Sequence, residues 1–435
     1  MRHTSFKRLL ISFLLHLVAL DRHGAIDVSQ SLKYGSKIYE VLENNTHNSW
    51  EFGTAAEVIL ERFYPSLSVY STSNKIPLKA SPDIVPNEIF DIIDPIMASR
   101  KPSSAPRPII PDGALGDPAS LGVAVIVAGM TVGSRPASEQ KFQGQQYGEA
   151  AQQQLDHLLG STFKGPHGEF SHRESEFQLW SDAMYMIPPF IAYYGAQTSN
   201  ITLLQLAYDQ IRLYRTAMQD PVTKTWRHIL FGQKPVQDPG LWSTGNGWVA
   251  AGLMRVLATM QNIRDDTLRS ETVAWQVEIL SWVLEVINGG FKFQSSDSGL
   301  LPNYFAANTT TYDEVAGTAL LASAAYRLVS LKPSTASKLP MDSIDRARIQ
   351  ILQKHVDPKT GIVSPVVNPQ NMTGPIPLKS TEVSAEAQAF VLLMVSGWEA
   401  YQHVQLTGNA PHSTNIFWTF GFFSTILAIL ILNFM

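Results

Sequence analysis

Thr267-Leu268-Arg269-Ser270-Glu271-Thr272-Val273-Ala274-Trp275-Gln276-Val277-Glu278-Ile279-Leu280-Ser281-Trp282-Val283-Leu284-Glu285-Val286-Ile287-Asn288 is the stretch on which the fold turns. Leu268, Val273, Val277, Leu280, Leu284 and Ile287 recur at helical spacing, as one buried stripe requires. Working outward, the same pattern returns along the chain, and alternating strand patterns are nearly absent. The spacing predicts helices over 27–43, 51–65, 86–99, 117–132, 141–159, 180–195, 200–219, 245–261, 267–288, 313–331, 341–356 and 382–403. In 313–331 the stripe is Val315, Ala319, Ala322, Tyr326 and Val329. Gly195 and Gly289 sit where a left-handed turn would close a helix, and Asp265 and Asp313 where a side chain would cap one.

The segments between are long and rich in Pro and Gly: 66–85, 100–116, 133–140, 221–244, 289–312 and 357–380. Unstructured loops of such length in a compact domain usually line a site. Helix pairs alternating with such loops imply an all-α protein, its hairpins set in a ring around an apolar centre with a ligand at one open end.

Composition narrows the chemistry. Lys+Arg number 33 against Asp+Glu 37, with no Lys/Arg block, so a nucleic-acid surface built on clustered cations is excluded. Zero cysteines exclude disulfides, thiolate nucleophiles and cysteine-ligated metal. No HExxH, phosphate-loop, G-x-S-x-G or EF-hand pattern occurs, so neither a metal nor another cofactor is expected.

The two ends read as targeting rather than fold. Arg2, Lys7 and Arg8 precede an apolar run from Leu9 to Leu20, so 1–24 is expected to be a secretory signal peptide. Residues 416–435 carry no charge and match the ~20 residues of a membrane helix. Gly408, Asn409 and Ala410 just upstream suit a GPI-attachment signal equally. The expectation is a 26–405 domain in the secretory pathway, extracellular or at the cell surface, attached to a membrane by that tail. Sequons at Asn44, Asn200, Asn308 and Asn371 are compatible with glycosylation there.

Aromatic and polar residues gather in three places: 165–190, 239–248 and 298–318. Asp182 opens a helix among Trp180, Met184, Tyr185 and Met186, with Ser181 its only near polar neighbour. Apolar burial raises a carboxyl pKa and lets it keep a proton for general acid catalysis. The peptide dipoles of an opening helix pull the other way, and a plain helix cap is the competing reading. Trp180, Trp242 and Trp248 offer flat faces for a sugar ring, although large aromatics equally build cores. Gly245 and Gly247 permit a sharp turn and close ligand approach. His228 lies in a loop, as a donor to a substrate oxygen or as a surface residue without a role.

Trp180-x-Asp182-x-x-x-Met186-x-x-Pro189-Phe190-Ile191-Ala192-x-x-Gly195, followed by Trp242-x-x-Gly245-Asn246-Gly247-Trp248, resembles glycoside hydrolase family 105, and in style a fungal branch of it. Asp313-Glu314-Val315-Ala316-Gly317-Thr318-Ala319 is similar to a further segment of that family, keeping Glu314, Gly317 and Thr318. The match is clear over 140–335. The resemblance implies an (α/α)6 barrel of six helical hairpins and hydrolysis of unsaturated rhamnogalacturonyl or related uronyl oligosaccharides. It makes Asp182 the catalytic acid and then base, and implies a substrate-binding set of Trp180, Met186, His228, Trp242, Thr244, Asn246, Trp248 and Glu314. Family members carry arginine in Trp-x-Arg-Gly-Asn-Gly-Trp, where this chain has Thr244. Threonine cannot replace bidentate carboxylate recognition, so that work falls to Arg173 or Lys292, or the substrate differs. Asp156 is a candidate for the family's second pocket acid. The alternatives are an ordinary glycosidase using Asp182 and Glu314 as paired carboxylates, a hydrolase or lyase for another sugar, and a non-catalytic glycan-binding protein on the same fold.

Overall fold

The computed structural model describes residues 35–234, 237–306, 311–374 and 376–407. The signal-like start, the apolar tail and the Asn308 sequon lie outside them. Six helices form an inner ring: α2 (Ser49–Phe63), α4 (Gly122–Thr131), α6 (Ala183–Gln197), α8 (Ser243–Gln261), α11 (Val315–Leu331) and α13 (Ala385–Thr407). Six form an outer layer: α1 (35–45), α3 (Asn87–Ser99), α5 (Gly144–Gly160), α7 (Ile201–Met218), α10 (Val273–Phe291) and α12 (Met341–Lys354). α9 (Asp266–Glu271) is a short turn ahead of α10. Every helix expected from the spacing is present, and each inner helix follows its outer partner in the chain.

Burial separates the layers. Every residue of α8 from Ser243 to Met260, and of α11 from Val315 to Ser330, is buried. Helices apolar and small-residue-rich all round can only be central. Outer helices bury one stripe, as α7 does with Leu204, Ala207, Ile211, Tyr214 and Met218. The 117–134 stretch is long and apolar enough to cross a membrane, yet 78% of it is buried within the barrel wall.

Several local expectations give way. In 267–288 the buried face is Ile279, Trp282, Val283, Val286 and Ile287, while Val273 and Val277 are 50% and 59% exposed. The helix restarts after Thr272, so a stripe phased from Leu268 is rotated off the true face. Gly289 stays inside α10, where the Thr223 carbonyl occupies the space a Cβ would need. Gly195 likewise stays inside α6, and Ser199 takes the left-handed conformation with φ 53°. Asp265 caps α9 as expected, accepting from the Leu268 amide, but the cap of α11 is Glu314 rather than Asp313.

The loops into the inner helices meet at one end of the barrel. Three short antiparallel pairs tie them: β1 (Gln178–Trp180) with β2 (Ile229–Phe231), β3 (Leu241–Trp242) with β5 (Tyr304–Phe305), and β4 (Leu301–Pro302) with β6 (Asp313–Glu314). Ser49 of α2 donates to Asp112, and the Trp50 indole donates to Glu386 of α13 at 2.6 Å. The Val315 amide donates to the Pro365 carbonyl at 2.9 Å. All six inner helices therefore begin at this end.

Candidate active site

The inner helices open on acids. Glu51 lies in the first turn of α2, Asp117 begins the short 3-10 turn leading into α4, and Asp182 immediately precedes α6. Glu314 immediately precedes α11 and Glu386 is in the first turn of α13. α8 begins instead with the hydroxyls of Ser243 and Thr244.

Asp182 does not cap its helix. Its Oδ2 accepts from the Ser181 hydroxyl at 3.0 Å and lies 3.6 Å from His228 Nε2. The Asp182 side chain is 14% exposed, so it is enclosed yet reachable. Burial raises its carboxyl pKa; the nearby His228 and Ser181 oppose this only in part.

His228 is wholly buried, not a surface residue. Its ring lies 4.4 Å from Trp242 and edge-on to Trp180 at 5.6 Å. Nδ1 is 2.8 Å from Asp238 Oδ2, which also accepts from the Tyr304 hydroxyl. Burial pulls the Asp238 carboxyl up, but the hydrogen bonds from His228 and Tyr304 outweigh it and hold the group below its ordinary range. An ionised Asp238 only accepts, so Nδ1 carries a hydrogen and Nε2 is the atom turned to Asp182. Tyr304 and His228 thus converge on Asp238, and this fixes the imidazole with its other nitrogen 3.6 Å from Asp182.

Trp180 is half-buried and the most open of the three expected platforms. His172 stacks on it at 4.8 Å and 20°, and His172 Nε2 lies 3.4 Å from Asp117. Burial, with Arg173 and His228 nearby, pushes His172 down to about 3, so it is neutral. Asp117 is raised well above the carboxylate range by burial and by the neighbouring Asp112 and Asp182. Glu386 is raised the same way, by burial and by Glu51 and Asp182.

The rest of the expected binding set is placed differently. Both Glu314 oxygens are consumed: Oε1 accepts from Ser243, Thr244 and the Gly317 amide, and Oε2 from the Ala316 amide. It is a fully buried cap, which also removes it as the second carboxylate of a paired glycosidase. Thr244 is sealed beside it. Asn246 clamps the loop, accepting from the Trp226 amide and donating to the Trp226 and Trp242 carbonyls. Trp248 is a core residue between Tyr185 and Phe390, each 4.6 Å away, and Met186 is buried in the same core. Trp242 lies beneath His228 with its indole donating to Asn303 at 3.0 Å. Gly245 and Gly247 form no turn; they let α8 press against Ser181 and Leu320. Asp156 lies on the outer helix α5, accepting from Gln152.

Asp117, Asp238, Tyr304 and Glu386 were not among the residues expected from sequence. The signal that finds Asp117 and Glu386 is positional: each stands at the start of the second helix of its hairpin, as Asp182 does. Among the described residues, no group of three His, Asp or Glu is arranged to hold a metal ion.

A search of the curated proteins returns no match in sequence. In fold the chain is similar to a possible member of glycoside hydrolase family 105 from Salmonella enterica, with TM-score 0.65, 14% identity, and coverage of 89% of this chain and 97% of that one. A family 105 glycoside hydrolase from C. acetobutylicum gives TM-score 0.60 at 13% identity, covering 84% and 99%. An unsaturated glucuronyl hydrolase from Bacillus sp. GL1 gives 0.53 at 10% identity, covering 87% and 96%. At these identities the likeness is one of fold, the six-hairpin α/α barrel. The model of Glycosyl Hydrolase Family 88 matches residues 138–395, which takes in Asp182, His228, Asp238 and Glu386. With that match over more than half its length, the chain is a glycoside hydrolase and belongs to glycosyl hydrolase family 88.

Proposed function

We propose that the enzyme hydrolyses unsaturated uronyl oligosaccharides, of the kind derived from rhamnogalacturonan and other pectins, by hydrating the 4,5-double bond. A solved structure of the same fold is described as an unsaturated glucuronyl hydrolase, which favours a 4,5-unsaturated uronic acid as the sugar at the cleaved end. Asp182, holding its proton, delivers it to C4. Positive charge then develops at C5 beside the ring oxygen, and water adds there as Asp182, now a carboxylate, takes the water's proton. The resulting hemiketal opens and releases the next sugar.

The observation that carries this reading is the setting of Asp182: reachable, uncapped, raised in pKa, and 3.6 Å from an imidazole whose tautomer Asp238 fixes. One such carboxyl suffices, since the scheme needs an acid that becomes a base at the same place. The test is to incubate purified protein with lyase-generated pectic oligosaccharides and follow loss of the double-bond absorbance. Consumption by the wild type, falling by about 10²–10⁴-fold in Asp182→Asn, is expected. No consumption, or equal consumption by the variant, overturns the reading.

A further inference from the structure

An anionic substrate at this site meets raised, closely grouped carboxyls at Asp117, Asp182 and Glu386, and a cation must offset its charge. Position 244 does not supply one. Thr244 is fully buried, its hydroxyl donates to Glu314 at 3.2 Å, and an arginine there would have to displace the cap of α11. Lys292 does not supply one either. It is exposed at the end of the outer helix α10, lining a surface groove with Thr223, Glu285 and Asn288.

We propose that Arg173 takes the substrate's carboxylate, doing from the loop before α6 what position 244 cannot do from α8. This rests on the uronyl reading above and names the residue that gives it specificity. The backbone at Arg173 pairs with Ala114, three residues ahead of Asp117, and the Leu115 amide donates to the His172 carbonyl at 2.8 Å. These bonds fix Arg173 beside the acid cluster. Its guanidinium lies 4.0 Å from where a Cβ on Gly113 would stand; Gly113 has none and takes φ 80°. The residues on either side are spoken for: His172 turns to Asp117 and Trp180, and Glu174 to His157 at 2.5 Å. Among the described residues, the Arg173 guanidinium makes no hydrogen bond or ion pair. Its charge nonetheless reaches the site, lowering the pKa of both Asp117 and His172. A planar fork left unpaired at the rim suits bidentate capture of a carboxylate.

The experiment compares wild type, Arg173→Gln, Arg173→Lys and Lys292→Gln on an unsaturated uronyl oligosaccharide and on its methyl ester, with thermal melts of each. For Arg173→Gln, KM on the free acid is expected to rise by about 10–100-fold. KM on the ester, which offers the guanidinium no charge, should rise far less, and the melting temperature should stay unchanged. Arg173→Lys should recover part of the loss, and Lys292→Gln should match wild type. An Arg173→Gln enzyme that keeps the wild-type preference for acid over ester overturns the role of Arg173 and leaves the uronyl reading standing. A wild type that consumes neither compound overturns both.

Discussion

Two regions of the barrel bury carboxyls in contrasting company. In the middle of α2, Glu57 and Glu61 face arginines: Arg255 of α8 donates to Glu57, and Arg327 of α11 donates twice to Glu61, at 2.7 and 3.0 Å. At the ends where the inner helices begin, Asp117, Asp182 and Glu386 have no arginine or lysine bonded to them among the described residues. Burial pushes the carboxyls of both sets upward. What differs is the opposing group: a bonded guanidinium in the first set, and in the second only His228 and Ser181 beside Asp182, the unbonded Arg173 near Asp117 and the Trp50 indole on Glu386. The first arrangement locks three inner helices together. The second keeps protons available where the barrel opens.

Removing a guanidinium should have the largest effect. Arg255→Met leaves Glu57 buried without its partner and should destabilise the fold by about 3–5 kcal/mol, read from chemical denaturation. Glu314→Ala probes a third kind of buried acid, one held by backbone and hydroxyl donors. Loss of that cap should cost about 1–2 kcal/mol by the same measurement. Asp182→Asn should act in the opposite direction. The folded Asp182 pKa lies above the unfolded value, so ionisation costs stability above the folded pKa and nothing below the unfolded one. The variant should therefore melt higher than wild type near pH 7, the gain fading as pH falls toward about 4. Smallest is His228→Gln. His228 lowers the Asp182 pKa, so its loss should move the alkaline limb of the kcat/KM profile to higher pH. An unmoved limb would mean that His228 does not tune Asp182.

Helical periodicity was enough to read the paired helices and their ring from sequence, because inner and outer helices each carry their own burial pattern. The phase of α10 was not legible, since a break at Thr272 resets the count. Asp182 and His228 stood out as chemistry, and the structure brings them together. Thr244, Asn246, Trp248 and Glu314 enter as the binding set that the resemblance implies, yet they bind loop to helix and helix to helix. A motif that builds the floor of a site has the same aromatic and polar composition as the site itself. Only partners distinguish the two, and partners such as Asp238 and Tyr304 come from distant segments.

The common starting end of the six inner helices has a consequence for how quickly a substrate arrives. Parallel helices add their partial positive charges at that mouth, giving the entrance a field that opposes the acids lodged just inside it. An anionic sugar chain would then be steered inward before touching any side chain. Because the Debye length shrinks to about 8 Å at physiological salt, this guidance fades with ionic strength. Capture of charged oligosaccharides should accordingly slow as salt is added, while turnover of the bound chain stays the same.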